Sequence, residues 1–356
     1  KLQSIKHKIR YILCNGQKVD LNKTLLENNI NENCSVLMTI MEDNDIYFND
    51  YKLKGFEFYG HVTKAGRDHN GNVRKNQDIS LIHCSIGDIK GFNMLGVLDG
   101  HGSQGHLVSQ FCRDYFIKKM EEFAHQCKLE NISTPEEIYD KLSKANFKFI
   151  LDCFKNADIE MTKQNLFDYN YNGTTCNLVI QLNKYLICAN VGDSRAILIY
   201  DNDTKTNKGI LALSDDHRPD LPQEYQRIIK NGGVVDKYIN EEGEKIGLYR
   251  IYKPGSKYPG LSISRSLGDF IAKDCGLIPD PQIRILKINH NSKYLLICSD
   301  GVWKMLNNEQ VRDLGNEFYN KKEIGPFCTN LVQNAVTEWD HFDIIRDDIT
   351  VVCVFF

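Results

Sequence analysis

Thr175–Tyr200 reads TCNLVIQLNKYLICANVGDSRAILIY. It holds three short runs rich in Val, Ile, Leu and Tyr, parted by Asn183-Lys184 and by Gly192-Asp193-Ser194. Runs of that length, bounded by turn residues, predict strands at 175–182, 185–191 and 196–200, with hairpins at the two breaks. Outward from this centre the same signal predicts strands at 79–86, 92–98, 282–288, 294–298 and 349–355. Helical spacing interrupts the pattern. Val108, Phe111, Cys112, Tyr115, Phe116, Met120 and Phe123 form one apolar stripe after Gly105. A second stripe runs Ile138, Leu142, Ala145, Phe149, Cys153, Ala157, Met161, with Ser133 or Thr134 as cap and Pro135 in the first turn. Further helices are predicted at 222–231 and 323–338. Hairpin-linked strands outnumber helices, which predicts an α+β chain of antiparallel sheets covered by helices. Residues 201–208 and 239–258 read as exposed loops, the second long enough to be a functional flap.

Composition narrows the functional classes. The 356 residues carry 44 basic and 47 acidic side chains, a net charge of −3, so no general attraction to nucleic acid or anionic lipid is expected. No apolar run approaches the roughly 18–20 residues that cross a bilayer, and the opening KLQSIKHKIR has no apolar signal core. The twelve cysteines form no CxxC pair and sit mostly in apolar stretches, which fits a reducing compartment, cytoplasmic or nuclear. A soluble monomer is expected.

Acidic residues recur at the ends of the predicted strands. Asp99 follows MLGVL, Asp300 follows YLLICS, Asp193 follows LICANVG, Asp347 precedes ITVVCVFF, and Asp78 precedes ISLIHCS. Any one of these alone is a turn or an N-cap. Five together would repel one another unless a cation neutralised them. An all-oxygen donor set without His or Cys pairs points to magnesium or manganese rather than zinc. Gly100, lacking a side chain, would let its carbonyl approach the same ion.

The segments GVLDGHG, NGTTC, ANVGDSRAIL, LSDDHRPD, RIIKNGG, PGLSISRSLGD, LLICSDGVWKML and RDDITVV occur in this order across residues 56–356. Together they resemble the successive motifs of the metal-dependent serine/threonine protein phosphatases of type 2C. The resemblance implies a four-layer α-β-β-α sandwich, two packed antiparallel sheets flanked by helices. It implies that Asp99 bridges two Mg2+ or Mn2+ ions, with Gly100, Asp300 and Asp347 as further ligands and Asp78 held near them through water. Gln77 stands where many relatives have Glu. His101 resembles the general acid. Arg74 is the candidate for the phosphate, with Arg67 as competitor, and Arg195 is assigned to holding its hairpin and neighbouring Asp. Where the family often has an Asp that helps hold a third ion, this chain has Lys304, so a third site would be absent or rest on Asp193 and other groups. Residues 230–259 correspond to the family's flap.

The implied function is hydrolysis of phosphoserine and phosphothreonine in phosphoproteins. The alternative is a catalytically weak pseudophosphatase serving as a binding module. A nuclease is disfavoured, because no basic groove is written in the chain. Residues 1–45 weakly resemble the second half of a ubiquitin-like domain, on Ile12, Gly16, Val19, Thr24, Leu25, Asn29, Ile30, Val36 and Met38, with a strand-rich extension as the other reading. Either would serve for docking a partner. Residues 46–55 read as a joint before the catalytic domain at 56–356.

Overall fold

Period-two alternation along the buried strands sets the layers. The computed structural model describes residues 9–14, 17–19, 36–40, 47–53, 56–163, 166–201, 209–342 and 345–356, with side chains described from residue 59 onward. The first strands are β1 (Ile9–Cys14), β2 (Gln17–Val19), β3 (Val36–Ile40), β4 (Tyr47–Leu53), β5 (Phe56–Lys64), β6 (Asp78–His83) and β7 (Phe92–His101). Three helices follow: α1 (Gly105–Leu129), α2 (Pro135–Lys144) and α3 (Lys148–Thr162). Next come β8 (Gly173–Thr174), β9 (Cys176–Leu182), β10 (Tyr185–Val191), β11 (Arg195–Tyr200) and β12 (Ile210–Ala212). Helix α4 (Pro222–Lys230) leads to β13 (Val234–Ile239), β14 (Lys245–Tyr252), β15 (Pro259–Leu261) and β16 (Leu267–Gly268). The chain ends with α5 (Phe270–Lys273), β17 (Gln282–Lys287), β18 (Ser292–Cys298), α6 (Asp300–Trp303), α7 (Asn308–Tyr319), α8 (Ile324–His341) and β19 (Ile349–Phe355).

One sheet runs β16-β8-β7-β9-β10-β17, with β6 also on β7; the other runs β12-β11-β18-β19-β5-β4. On β9, Leu178, Ile180 and Leu182 pack beneath α1–α3, while Val179 faces the opposite sheet. On β18, Tyr294, Leu296 and Cys298 pack beneath α7 and α8, while Leu295 and Ile297 face inward. Three apolar layers therefore separate four layers of secondary structure, the α-β-β-α sandwich the sequence implied. The outer layers are dense: the Phe116 and Phe154 rings lie 4.8 Å apart, both fully buried, and removing either ring would cost about 3–5 kcal/mol.

Several local expectations are corrected. Gly192–Ser194 is no hairpin: Val191 pairs with Cys176 in the first sheet, whereas Arg195 pairs with Cys298 in the second, so the chain crosses between sheets there. Gly192 takes φ +95° at the crossing, and a Cβ would lie 2.6 Å from Thr175. The stripe from Ile138 to Met161 is two helices, because Asn146 and Phe147 adopt positive φ between α2 and α3. Thr134 caps α2 in a box with Glu137. Residues 239–258 are not plain loops: β13, β14 and β15 form a small antiparallel sheet. The joint at 46–55 holds β4, which pairs with β5, as its aromatic, β-favouring sequence YFNDYKL allows. Helix α7 was not anticipated. Strands β1–β3 form a separate three-stranded sheet. The ubiquitin-like positions Gly16, Thr24, Leu25, Asn29 and Ile30, and the proposed loop at 202–208, lie outside the described residues.

Candidate active site

Strand ends from both sheets gather at one edge of the sandwich. Asp78 opens β6 and pairs directly with Asp99 near the end of β7. From the second sheet, Asp300 follows β18 and Asp347 precedes β19, two strands that are themselves paired. Asp193 sits on the crossing between β10 and β11. The sequence named all five, and the fold brings them to one rim.

Burial and mutual repulsion perturb these carboxyls. Burial, followed by the charges of Asp78, Asp300, Asp347 and Asp193, pushes the Asp99 carboxyl well above the usual carboxylate range. Asp78 is raised too, first by burial and then by Asp348, with the Ser299 and Thr350 hydroxyls acting against the shift. Burial and Asp300 push Asp193 up to about 7. Both carboxylate oxygens of Asp78 and the Oδ1 of Asp300 are buried without a geometrically sound hydrogen bond. Orphaned, mutually repelling oxygens of this kind call for a hard cation.

Among the described residues no three His, Cys, Asp or Glu side chains converge on one centre. A lysine stands among these carboxylates. Lys304 Nζ lies 2.5 Å from Asp300 Oδ2 and 2.9 Å from Asp347 Oδ2. A single ammonium touching both shows that these two ligand candidates share a neighbourhood. The ammonium thus makes contact with the carboxylates themselves. The oxygen-only donor set and its orphaned atoms fit divalent cations, and Asp300 and Asp347 would have to loosen from Lys304 to complete a cage.

Backbone demands fix the surrounding loop. Asp99 N–H donates to Thr175 Oγ1 at 3.0 Å, and Thr175 N–H returns to Asp99 O at 2.9 Å. A Cβ on Gly100 would stand 2.4 Å from Gly105 O and 2.8 Å from Gln77 O, so close backbone packing requires glycine here. Gln77 Nε2 donates to Gly102 O at 2.8 Å, leaving the amide oxygen as its accepting end. Asn172, buried in the NGTTC motif, accepts from Gln104 N–H at 2.6 Å and pins the turn after His101.

His101 has a partner that the sequence reading missed. Its Nε2 lies 2.6 Å from Oδ2 of Asp269, which is 2% exposed and also accepts from Ser266 Oγ at 2.6 Å. A carboxylate only accepts, so Nε2 carries a hydrogen, and in the imidazolium Nδ1 carries the second. Burial by itself would lower the His101 pKa, but the charge and hydrogen bond of Asp269, with help from Asp193 and Asp300, raise it above the ordinary histidine value. Asp269 is held at φ 52° after Gly268 at φ 84°, an uncommon pairing of left-handed residues that marks a constrained position. The signal was present as the end of PGLSISRSLGD, yet nothing local to that motif names its partner 168 residues away.

Asp348, next to the predicted Asp347, is a second missed group. Its oxygens accept from Gly66 N–H at 2.7 Å and Gln77 N–H at 2.8 Å, fastening the segment that leads into Asp78. The Arg74 charge acts on Asp348, whereas that of Arg67 acts on Arg346, whose carbonyl also accepts from Arg67 N–H. Arg195 holds Asp216, not the neighbouring Asp193, in a two-pronged ion pair of 2.9 and 2.6 Å, donates to Asn308 and stacks on Trp303.

Known proteins resemble this chain in sequence and in fold. Residues 69–338 match the family described as protein phosphatase 2C. The probable protein phosphatase 2C 34 of Arabidopsis thaliana is 30% identical over 80% of this chain and 78% of its own. The probable protein phosphatase 2C 72 of the same plant is 32% identical over 79% and 81%. In fold, the chain is similar to the crystal structure of a serine-threonine phosphatase 2C from Toxoplasma gondii, with a TM-score of 0.68 at 20% identity, covering 87% of this chain and 99% of that one.

Proposed function

The chain belongs to the protein phosphatase 2C family and is a metal-dependent serine/threonine protein phosphatase, and from that premise we propose how its own residues do the work. The pseudophosphatase alternative is not supported over this reading. Asp99 and Gly100 from β7, Asp78 from β6, and Asp300, Asp347 and Asp193 beyond them would hold two divalent ions, Mg2+ or Mn2+. When bound, such ions supply a water acidic enough to serve as hydroxide near neutral pH and positive charge beside the phosphoryl oxygens. Arg74, in the segment that leads into Asp78, is proposed to orient the phosphoryl group, with Arg67 as its competitor. His101 delivers a proton from Nδ1 to the departing serine or threonine oxygen. Asp269 and Ser266 hold the ring and favour its protonated form before transfer.

The His101–Asp269 contact beside a rim of orphaned carboxylates carries this reading. It is tested with p-nitrophenyl phosphate and a phosphothreonine peptide, with Mn2+, with chelator, and in Asp99→Asn. Turnover should require metal and fall by at least about a hundredfold in the variant. Metal-independent turnover, or an unaffected Asp99→Asn, would overturn it.

Phosphoproteins are the substrate class. Residues 1–45 are proposed to dock a partner, supported by β1–β3 pairing with one another in a sheet of their own. Deleting them should leave hydrolysis of p-nitrophenyl phosphate intact; loss of folded protein would show a structural extension instead. All ten cysteines with described side chains are free and nine are buried, which supports a reducing, cytosolic or nuclear setting.

A further inference from the structure

Lys304 departs from what a cluster of ligand carboxylates needs, and its contacts say what it does instead. It follows the single turn of α6, so its stem arches back over Asp300 at i, i+4. The ammonium holds one oxygen of Asp300 and one of Asp347, at 2.5 and 2.9 Å. The other oxygen of Asp347 accepts the Asp348 N–H at 3.0 Å, so both of its oxygens are engaged. Asp300 Oδ1 and both oxygens of Asp78 make no hydrogen bond of comparable geometry. The rim is thus divided into carboxylates ready for a cation and one, Asp347, already held by an internal cation.

A divalent ion bonds carboxylate oxygen at about 2.0–2.2 Å. On the oxygens Lys304 now holds, the ion's two positive charges would stand within a few ångströms of the ammonium. Ion and ammonium therefore compete for those oxygens. Lys304 has an exit: its side chain is 35% exposed, and a four-carbon stem with rotatable donors moves readily into water. We infer that Lys304 is a tethered competitor for the metal, which keeps Asp300 and Asp347 neutralised in the ion-free protein and must swing off them before the second ligand set closes.

This rests on the metal-dependent phosphatase reading, and its failure can be told apart from the failure of that reading. Mn2+ is titrated calorimetrically into chelator-stripped full-length protein, as wild type, Lys304→Met, Lys304→Gln and Lys304→Arg, each checked for fold by circular dichroism. The neutral variants should bind Mn2+ about tenfold more tightly or better, and their ion-free forms should melt lower while gaining more from Mn2+. Lys304→Arg should remain within about threefold of wild type, since it keeps the charge. Equal or weaker Mn2+ binding in both neutral variants overturns the inference alone; no binding in any form overturns it together with the metal reading. A measurement on wild type stands apart from any variant's folding: reductive methylation of Lys304, read by peptide mass spectrometry, should accelerate when Mn2+ is added. An unchanged or slower rate contradicts the displacement.

Discussion

Replacing Asp269 by Asn keeps the shape of the buried acceptor and removes its charge. In the native protein that charge sits 2.6 Å from His101 Nε2, at 2% exposure, and outweighs the burial that would otherwise lower the histidine's pKa. A hydrogen bond to a charged group contributes roughly 1.5–3 kcal/mol, which corresponds to about one to two decades in rate. The direction with pH follows from the sign of the shift. A proton donor must start protonated, so activity is lost as pH rises through its pKa. Removing the group that raises this pKa moves the alkaline limb to lower pH. The decisive assay compares two substrates across pH at saturating Mn2+. Threonine alkoxide leaves badly and needs the proton, so kcat on a phosphothreonine peptide should drop about 10–100-fold. p-Nitrophenolate leaves without one, so its kcat should change less than about threefold. Equal losses on both substrates, or an alkaline limb that does not move, would refute the proton-delivery role of the pair.

Gly173→Ala should imitate that defect from the neighbouring strand, because its Cβ would lie 2.0 Å from Asp269 Oδ2 and 2.7 Å from His101 Nε2. Its peptide-to-aryl rate ratio should fall as in Asp269→Asn; an unaltered ratio shows the pair can shift without consequence. Thr134→Ala removes a capping box from α2, far from the rim, and should lower stability by about 1 kcal/mol in urea with kcat unchanged. His217 is 2% exposed, and burial together with the Arg265 and Arg227 charges pushes its pKa down to about 3. Its depressed value means the unfolded chain binds the extra proton first, so stability is fully present above the ordinary pKa near 6.5 and is lost as pH falls from there toward 3. This one group should cost up to about 2 kcal/mol by about pH 5, seen as a difference between wild type and His217→Gln that shrinks on acidification; a difference flat in pH would count against it.

Much of the candidate site was legible because strand-end carboxylates adjoin apolar runs in the sequence itself. Asp78, Asp99, Asp193, Asp300 and Asp347 needed only the strand edges to be found, and β9 and β10 fell close to their expected bounds. What escaped was non-local. Val191 and Arg195 are four positions apart, yet they join different sheets, a choice made by the pairing of Arg195 with Cys298 rather than by the turn between them. Asp269 and Asp348 act through atoms brought from distant segments, and no pattern around either residue names those partners. Helix α7 escaped for a local reason: much of its sequence, NEQVRDLGNEFY, is polar, and its buried residues are Val311 and Gly315.

The far edge of the sandwich carries a tie of another kind. There Tyr59 of one sheet donates to Gln181 of the other at 3.1 Å, while Asn93 donates to both at 3.0 and 3.1 Å. Since each sheet carries only part of the acidic rim, that distant knot, by tying one sheet to the other, helps fix how the two halves of the rim meet. Substitutions that break it are therefore expected to weaken the enzyme from a full strand's length away, which a lowered kcat in Asn93→Ala would show and an unchanged one would refute.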